Sequence, residues 1–151
     1  MSQNGTGWKF YITKPVFGRC SELVNFFYYR YFDMCYNFNA LVPTNYTAIE
    51  ENCRTINTSL LRIDSAERMK YLQTITANIG TFGSGGICIQ GYRGNVGDNW
   101  TFNDGTVMTY FNWGPSEPSA KSHIKVLRLN NYQWAASKNV GGSCTYSCEH
   151  F

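Results

Sequence analysis

The residues best suited to ligand chemistry lie in Asn112–Ser119, which reads N-W-G-P-S-E-P-S and places the carboxyl group of Glu117 beside a proline. Carboxylate and amide oxygens are ligands that calcium prefers, and the same groups hydrogen-bond sugar hydroxyls. Calcium takes six to eight oxygens, so Glu117 alone is not enough. A calcium site would require Asp98 and Asp104 to gather around it. The candidate ligand-binding residues of this loop are Asn112, Ser116, Glu117, Ser119 and Lys121.

A second chemistry, hydrolysis, would use His123 with Ser122, Ser116 and Glu117, which lie close together in the chain. A nucleophile needs a base in hydrogen-bonding reach and a defined setting such as the Gly-x-Ser-x-Gly elbow. The chain has no such elbow, no metal-protease motif and no paired acids on regular elements. We therefore expect a binding protein rather than an enzyme.

Six cysteines are the other reactive side chains, and their even number in a short chain indicates disulfides and an oxidising compartment. Zinc binding is the alternative, but only Cys144 and Cys148 are close in sequence, and the chain has just two histidines. Cys20 and Cys35 bracket an aromatic segment. They could close a small hairpin by a local disulfide or simply fill space in a strand pair.

Sequons and composition agree with secretion. Four sites fit the N-glycosylation rule: Asn4, Asn45, Asn57 and Asn99. The basic residues are scattered singly, so we expect no nucleic-acid partner, and no apolar run is long enough to insert in a membrane. The start of the chain lacks the apolar core of a signal peptide, and we take it as a mature segment. Residues 1–15 are expected to be flexible, and residues 16–151 to form one domain.

Two helices are expected in the first half of the chain. Thr47 and Glu50 have capping-box spacing at the start of a helix that ends near Thr55, and Asp64 and Glu67 have the same spacing at the next. In the second helix an apolar stripe follows a helical period, and Gly80 is placed to end it. The stripe consists of Met69, Leu72, Ile75 and Ile79.

The second half alternates strands with one long irregular segment. Ile87–Tyr92, Ile124–Leu129, Tyr132–Trp134 and Thr145–Cys148 have the composition of strands. Residues 93–122 are rich in Gly, Asn, Asp, Pro and Trp, and a loop of this length usually has a function or a structure of its own. Helices followed mainly by strands predict an α+β fold.

A series of motifs in this order resembles the C-type lectin-like domain, in the long form with an N-terminal hairpin. The resemblance covers about Cys20 to Phe151. Its landmarks are Cys35-Tyr-Asn-Phe38, Cys53 with Asn57, Leu60 and Ile63, Ile89-Gln-Gly-Tyr92, Trp100-Thr-Phe-Asn-Asp-Gly105, Tyr110 with Asn112 and Trp113, Glu117-Pro118, Trp134 and Cys148-Glu149. Asn57 stands where the family usually has the glycine that ends the first helix.

The resemblance implies a fold of two helices on small antiparallel sheets with a long loop region, stapled by disulfides. It implies that Cys53 pairs with Cys148 and Cys20 with Cys35. The family's other bridge is missing, because its positions fall near Ile124 and Asn139. We expect the remaining Cys88 and Cys144 to pair and replace it.

The resemblance also implies where calcium and sugar would bind. Family members that bind sugar hold calcium with a Glu-Pro-Asn motif, a second Glu and an Asn-Asp pair after a Trp. Here Ser119 replaces the first Asn, and Ala135 and Ala136 follow Trp134. The region where the second Glu is expected reads Ala120-Lys-Ser-His123, which is three residues shorter than usual and contains a cation, Lys121. We therefore expect no cofactor and a secreted module that binds a protein or a glycan without calcium. The alternative is a calcium-dependent lectin with rearranged ligands, Asp98, Asp104 and Glu117.

Overall fold

The computed structural model describes residues 20, 23, 25–77 and 86–150. Contacts within the chain divide it into two compact units, Met1–Asn37 with Glu149–Phe151, and Phe38–Cys148. The segment 1–15 that the sequence predicts to be flexible lies outside the described residues. In the described part no helix is both long enough and apolar enough to span a bilayer.

The first unit contains an aromatic hairpin. Strand β1 (Phe27–Tyr29) pairs antiparallel with the start of β2 (Met34–Asn45), with Tyr28 opposite Cys35. The turn between them ends at Asp33, whose φ of 46° is left-handed, and the Tyr28 hydroxyl donates to Asp33 Oδ1 at 2.7 Å. A strand pair in this aromatic segment agrees with the sequence.

The predicted Cys20–Cys35 disulfide is absent from the structure. The two cysteines are not joined to each other, and both side chains are buried in one small cluster with Leu23, Phe26 and Tyr28. A buried cysteine packs as a small apolar side chain, so the two residues can fill this cluster without a covalent bond. The structure therefore agrees with the alternative interpretation, in which Cys20 and Cys35 fill space in a strand pair.

In the second unit, helix α1 (Tyr46–Thr55) starts earlier than the capping-box pattern predicts. Its N-cap is Asn45, whose side chain accepts a hydrogen bond from the backbone N–H of Ala48 at 3.1 Å. Tyr46 therefore lies in the first turn, where it is buried and donates its hydroxyl to the carbonyl of Ile124 at 2.5 Å. At the other end, Asn57 takes the left-handed conformation expected of it, with φ 59°.

The cap of helix α2 (Ala66–Ala77) lies one residue away from the predicted position. Ser65 Oγ accepts from the backbone N–H of Arg68, whereas the Asp64 carboxylate lies 3.6 Å from Arg62 Nε in a partly exposed ion pair. The predicted stripe is confirmed at Met69, Leu72 and Ile75, which are buried. Ile79 and Gly80 lie outside the described residues.

A mixed sheet forms the centre of the second unit. Its strand order is β2-β7-β4-β5-β6, with β3 (Ser59–Leu60) paired to β7 (Val140–His150). β4 (Gly86–Tyr92) runs parallel to β7, whereas β5 (His123–Leu127) is antiparallel to both β4 and β6 (Gln133–Ser137). The inward faces bury Ile87, Ile89, Ile124, Val126 and Trp134. The α+β prediction is confirmed.

Two disulfides staple this unit. Cys53–Cys148 joins α1 to β7, and Cys88–Cys144 joins the parallel neighbours β4 and β7. They close loops with sequence separations of 95 and 56 residues, which should each remove about 4 kcal/mol of unfolded-state entropy in the chain-entropy model. Both pairings are those expected from the sequence.

Candidate ligand-binding loop

The long loop, residues 93–122, leaves the sheet at the end of β4 and returns at the start of β5. Its base is a short ladder in which Tyr92 and Thr101 exchange backbone hydrogen bonds of 3.0 and 2.9 Å. A tight turn follows at Gly105, where φ is 87° and a side chain would be strained. The loop therefore has a structure of its own, as its length predicts.

Aromatic side chains form the inner part of the loop. The Trp113 ring lies 5.3 Å from the Trp100 ring and 6.0 Å from that of Trp134, and the Tyr110 ring lies 5.8 Å from Trp134. Trp100 and Trp134 are buried, while Trp113 and Tyr110 are half-buried. These rings support the loop, in agreement with the structural role that the sequence suggests for them.

Asn112 is half-buried and is hydrogen-bonded to strand β6. Its backbone carbonyl accepts from Trp134 N at 2.8 Å, and Gly114 N donates to the Trp134 carbonyl at 2.9 Å. The Asn112 side-chain amide donates to the carbonyl of Tyr132 at 3.0 Å. The amide predicted to contact a ligand therefore has a partner inside the protein.

Glu117 is similarly engaged. Its peptide bond to Pro118 is cis, and its carboxylate Oε1 accepts from two backbone amides, Ser119 N at 2.8 Å and Ala136 N at 2.9 Å. The carboxylate thus ties the loop to β6. Ala136 contributes to this arrangement through its backbone, although its side chain has no oxygen to offer a metal.

A buried arginine, which sequence reasoning did not single out, holds the returning half of the loop. Arg93 is 6% exposed, and its guanidinium donates to the carbonyls of Ser119 at 2.6 Å and Lys121 at 3.1 Å. It also stacks over the Trp100 ring at 4.6 Å. Carbonyl oxygens in a loop are groups that a metal cation could bind, and here a cation of the protein binds them.

The two aspartates proposed as rearranged calcium ligands have other partners. Asp98 Oδ2 accepts from Asn95 N at 3.0 Å, and Asp104 Oδ2 lies 3.0 Å from Arg62 Nη1. Hydrogen bonding from Thr106, reinforced by Arg62, lowers the pKa of Asp104 to about 2. Nowhere in residues 25–77 or 86–150 do three His, Cys, Asp or Glu side chains lie close enough to hold a metal together.

The remaining predicted positions differ in exposure. Ser116 is exposed with a left-handed φ of 64°, and Lys121 is exposed, whereas Ser119 is half-buried. Ser122 Oγ lies 2.8 Å from His123 Nδ1, and burial lowers the pKa of His123. The His123 ring packs 4.5 Å from Tyr46, so it forms part of an aromatic stack.

Pockets border this loop in the described part of the second unit. A cavity of about 680 Å³ is lined by α1 and the loop base and contains Glu50, Tyr92, Asn103 and His123. Burial raises the pKa of Glu50, against a hydrogen bond from Asn103 that lowers it. Two smaller pockets, of about 400 and 410 Å³, lie where the returning loop meets β5 and β6. Sequence reasoning found none of the three, since their walls come from distant segments.

Of the predicted glycosylation sites, Asn57 and Asn99 are exposed, whereas Asn45 is half-buried and caps α1. Asn4 lies outside the described residues. Glycosylation at these sites remains a prediction.

No protein-family model and no curated protein sequence matches the chain. Many solved structures match its fold. Human lithostathine shares 16% identity over 98% of this chain and 96% of its own, with a TM-score of 0.70. The C-type lectin CEL-I from Cucumaria echinata shares 17% identity over 84% of this chain and 95% of its own, with a TM-score of 0.70.

A third match is a calcium-independent type II antifreeze protein, with 20% identity over 85% of this chain and 92% of its own and a TM-score of 0.66. At such identities the likeness concerns the fold and does not transfer a ligand. It agrees with the helices, the disulfides and the long loop described above. The chain therefore has the fold of a C-type lectin-like domain.

Proposed function

We propose that the chain is an extracellular recognition module that binds a glycan or protein ligand through its long-loop surface without calcium. One observation carries the proposal. The groups that would hold an ion are satisfied by the protein, because Glu117 Oε1 accepts two backbone amides and the Arg93 guanidinium binds the carbonyls of Ser119 and Lys121. These bonds join the loop to strand β6 and to Arg93 without an ion, and they support the proposal that binding does not depend on calcium.

The compartment and the ligand class rest on supporting observations. Two disulfides and the exposed sequon residues Asn57 and Asn99 favour an oxidising, extracellular setting. Among proteins of similar fold, one is named a C-type lectin, and two are described as type II antifreeze proteins, one Ca²⁺-dependent and one calcium-independent, so this fold occurs in proteins that depend on the ion and in proteins that do not. Ligand binding through the exposed loop residues Ser116 and Lys121 fits both precedents.

The test combines a glycan array with thermal unfolding, each in calcium and in EDTA, on glycosylated protein. We expect the bound glycans and the Tm to be the same in both conditions. A ligand that stabilises the folded state raises the Tm, so calcium bound at 100 times its Kd would add about 2.7 kcal/mol of stability. Binding that disappears in EDTA and returns with calcium would instead support the rearranged set of Asp98, Asp104 and Glu117.

A further inference from the structure

Two adjoining pockets in the second unit are lined by basic side chains and contain no carboxylate. The first, of about 400 Å³, includes Arg93, Lys121 and Lys138. The second, of about 410 Å³, includes Lys121, Lys125 and Lys138. They share Lys121 and Lys138, and together they form what we call the lysine pockets.

Lys125, on strand β5, is held in place by hydrogen bonds to the protein. Its ammonium group donates to Thr44 Oγ1 at 3.2 Å and to the Ser143 carbonyl at 3.3 Å, so one of its three N–H bonds remains for a ligand. Burial, and then the charge of Lys121, lower the pKa of Lys125. In the described part of the chain, none of the ion pairs involves Lys121, Lys125 or Lys138.

Small residues give access to this charge. Lys125 pairs across the sheet with Ala135, and a side chain added at Gly142 would begin 3.8 Å from the Lys125 nitrogen. Longer side chains at these positions would fill the pocket beside the ammonium group. Lys125 is half-buried and feels the charge of the exposed Lys121, and an anion bound between such like charges relieves their repulsion.

We propose that the lysine pockets bind an acidic oligosaccharide through its sulfate or carboxylate groups. This proposal deepens the recognition function proposed above and rests on it. Lysines bind oxyanions as compact point charges, and each pocket has a volume within the range of ligand sites. Two adjoining pockets that share two lysines fit anionic groups on neighbouring sugars.

The lining favours a glycan over an acidic protein segment. Protein contacts are usually anchored by buried aromatic or large apolar side chains in matching pockets. The only apolar side chains larger than alanine that line these two pockets are Val96 and Leu127. The polar lining groups are the ammonium groups, the Arg93 guanidinium, serine hydroxyls and the amides of Asn95 and Asn139, which suit hydroxyl and anionic groups of a sugar.

The experiment measures binding of three tetrasaccharides by calorimetry: heparin-derived, hyaluronan-derived and neutral chitotetraose. Polyglutamate serves as the acidic peptide probe. We expect the heparin fragment to bind most tightly, hyaluronan more weakly, and chitotetraose at least tenfold more weakly than heparin. Raising the salt from 50 to 300 mM should weaken the anionic ligands only, because exposed charges are screened within about a Debye length. Polyglutamate binding as tight as heparin would overturn the choice of a glycan.

Matched variants test the site itself. Lys121→Ser with Lys138→Ser should weaken heparin binding about a hundredfold, at about tenfold for each charged hydrogen bond lost. Each single variant, Lys121→Ser or Lys138→Ser, should then lose about tenfold, whereas Lys70→Ser, which also removes one positive charge but from an exposed position on α2, should leave binding unchanged. Equal losses in Lys70→Ser and in these single variants would mean non-specific attraction to net charge and would overturn the proposal. If array glycans bind but heparin and hyaluronan do not, the lysine pockets are refuted while the recognition function stands.

Discussion

Replacing Arg93 with methionine should destabilise the folded protein by about 2–3 kcal/mol. The change removes two charged hydrogen bonds to the carbonyls of Ser119 and Lys121, each worth about 1.5–3 kcal/mol. It also removes the contact with the Trp100 ring, worth about 1 kcal/mol. Methionine keeps most of the apolar stem and relieves the cost of burying a charge, which offsets part of this loss.

The assay is equilibrium urea unfolding with the disulfides intact, followed by tryptophan fluorescence. For a chain of this length the loss corresponds to a fall in Tm of about 5–10 °C. Hydrogen exchange adds a local readout, because the backbone amide of Lys121 donates to the Ser119 carbonyl and should exchange faster in the variant. Arg93→Lys keeps the charge without the forked geometry and should lose about half as much stability.

The control is Arg54→Met, which removes an exposed arginine paired with Glu51 on α1. Such a surface pair contributes between 0 and about 1 kcal/mol. An Arg93→Met variant within about 0.5 kcal/mol of the parent would refute the reasoning that this guanidinium holds the loop. Restoration of its stability by calcium would show that an ion can replace the side chain.

Three further outcomes are expected. Glu117→Ala leaves the backbone amides of Ser119 in the loop and Ala136 on β6 without their acceptor and should cost about 2 kcal/mol in the same unfolding assay. Glu117→Gln keeps a carbonyl oxygen there and should cost less, and equal losses would contradict the role given to Oε1. Peptide mapping without reduction should show Cys53 linked to Cys148, Cys88 linked to Cys144, and alkylated thiols at Cys20 and Cys35; a linked Cys20–Cys35 peptide would overturn that part of the structure. Burial raises the pKa of Glu50, so the stability linked to its protonation is fully present below pH 4.5 and is lost as pH rises through the folded-state pKa. Glu50→Gln should therefore be more stable than the parent at pH 7 and lose that advantage below pH 4.5 in pH-dependent urea titrations, and a constant difference would contradict this linkage.

Local patterns in the sequence predict which helices and strands form more accurately than they predict the residue at which each helix begins. The buried stripe of α2 and the strands around Ile89, Ile124 and Trp134 follow from periodicity and composition. The helix starts do not, because several residues near each start can cap it. At α1, the burial of Tyr46 and its bond to Ile124 decide in favour of Asn45, and this contact spans 78 residues.

The sequence indicates which loop to consider as the candidate site, but it does not predict the partners of the side chains in that loop. The motif around Glu117 locates the loop, yet the partners of its carboxylate lie on strand β6 and in the backbone. The role of Arg93 could not be predicted from local sequence, because its two carbonyl partners are 26 and 28 residues away. Lys125 and Lys138 are likewise single charges in the sequence, and only the folded sheet brings them to one pocket.

Ala135 and Ala136 connect the two proposals. In the sequence they count only as calcium ligands that are missing. In the structure the Ala136 amide binds the Glu117 carboxylate, and the small side chain of Ala135 lies opposite Lys125. Larger oxygen-bearing side chains at these two positions would crowd the pocket that exposes the ammonium group. The two alanines that offer no side-chain oxygen to a metal cation thus also line the pocket beside Lys125, and the proposed binding of an anionic sugar would use the space that their small side chains leave.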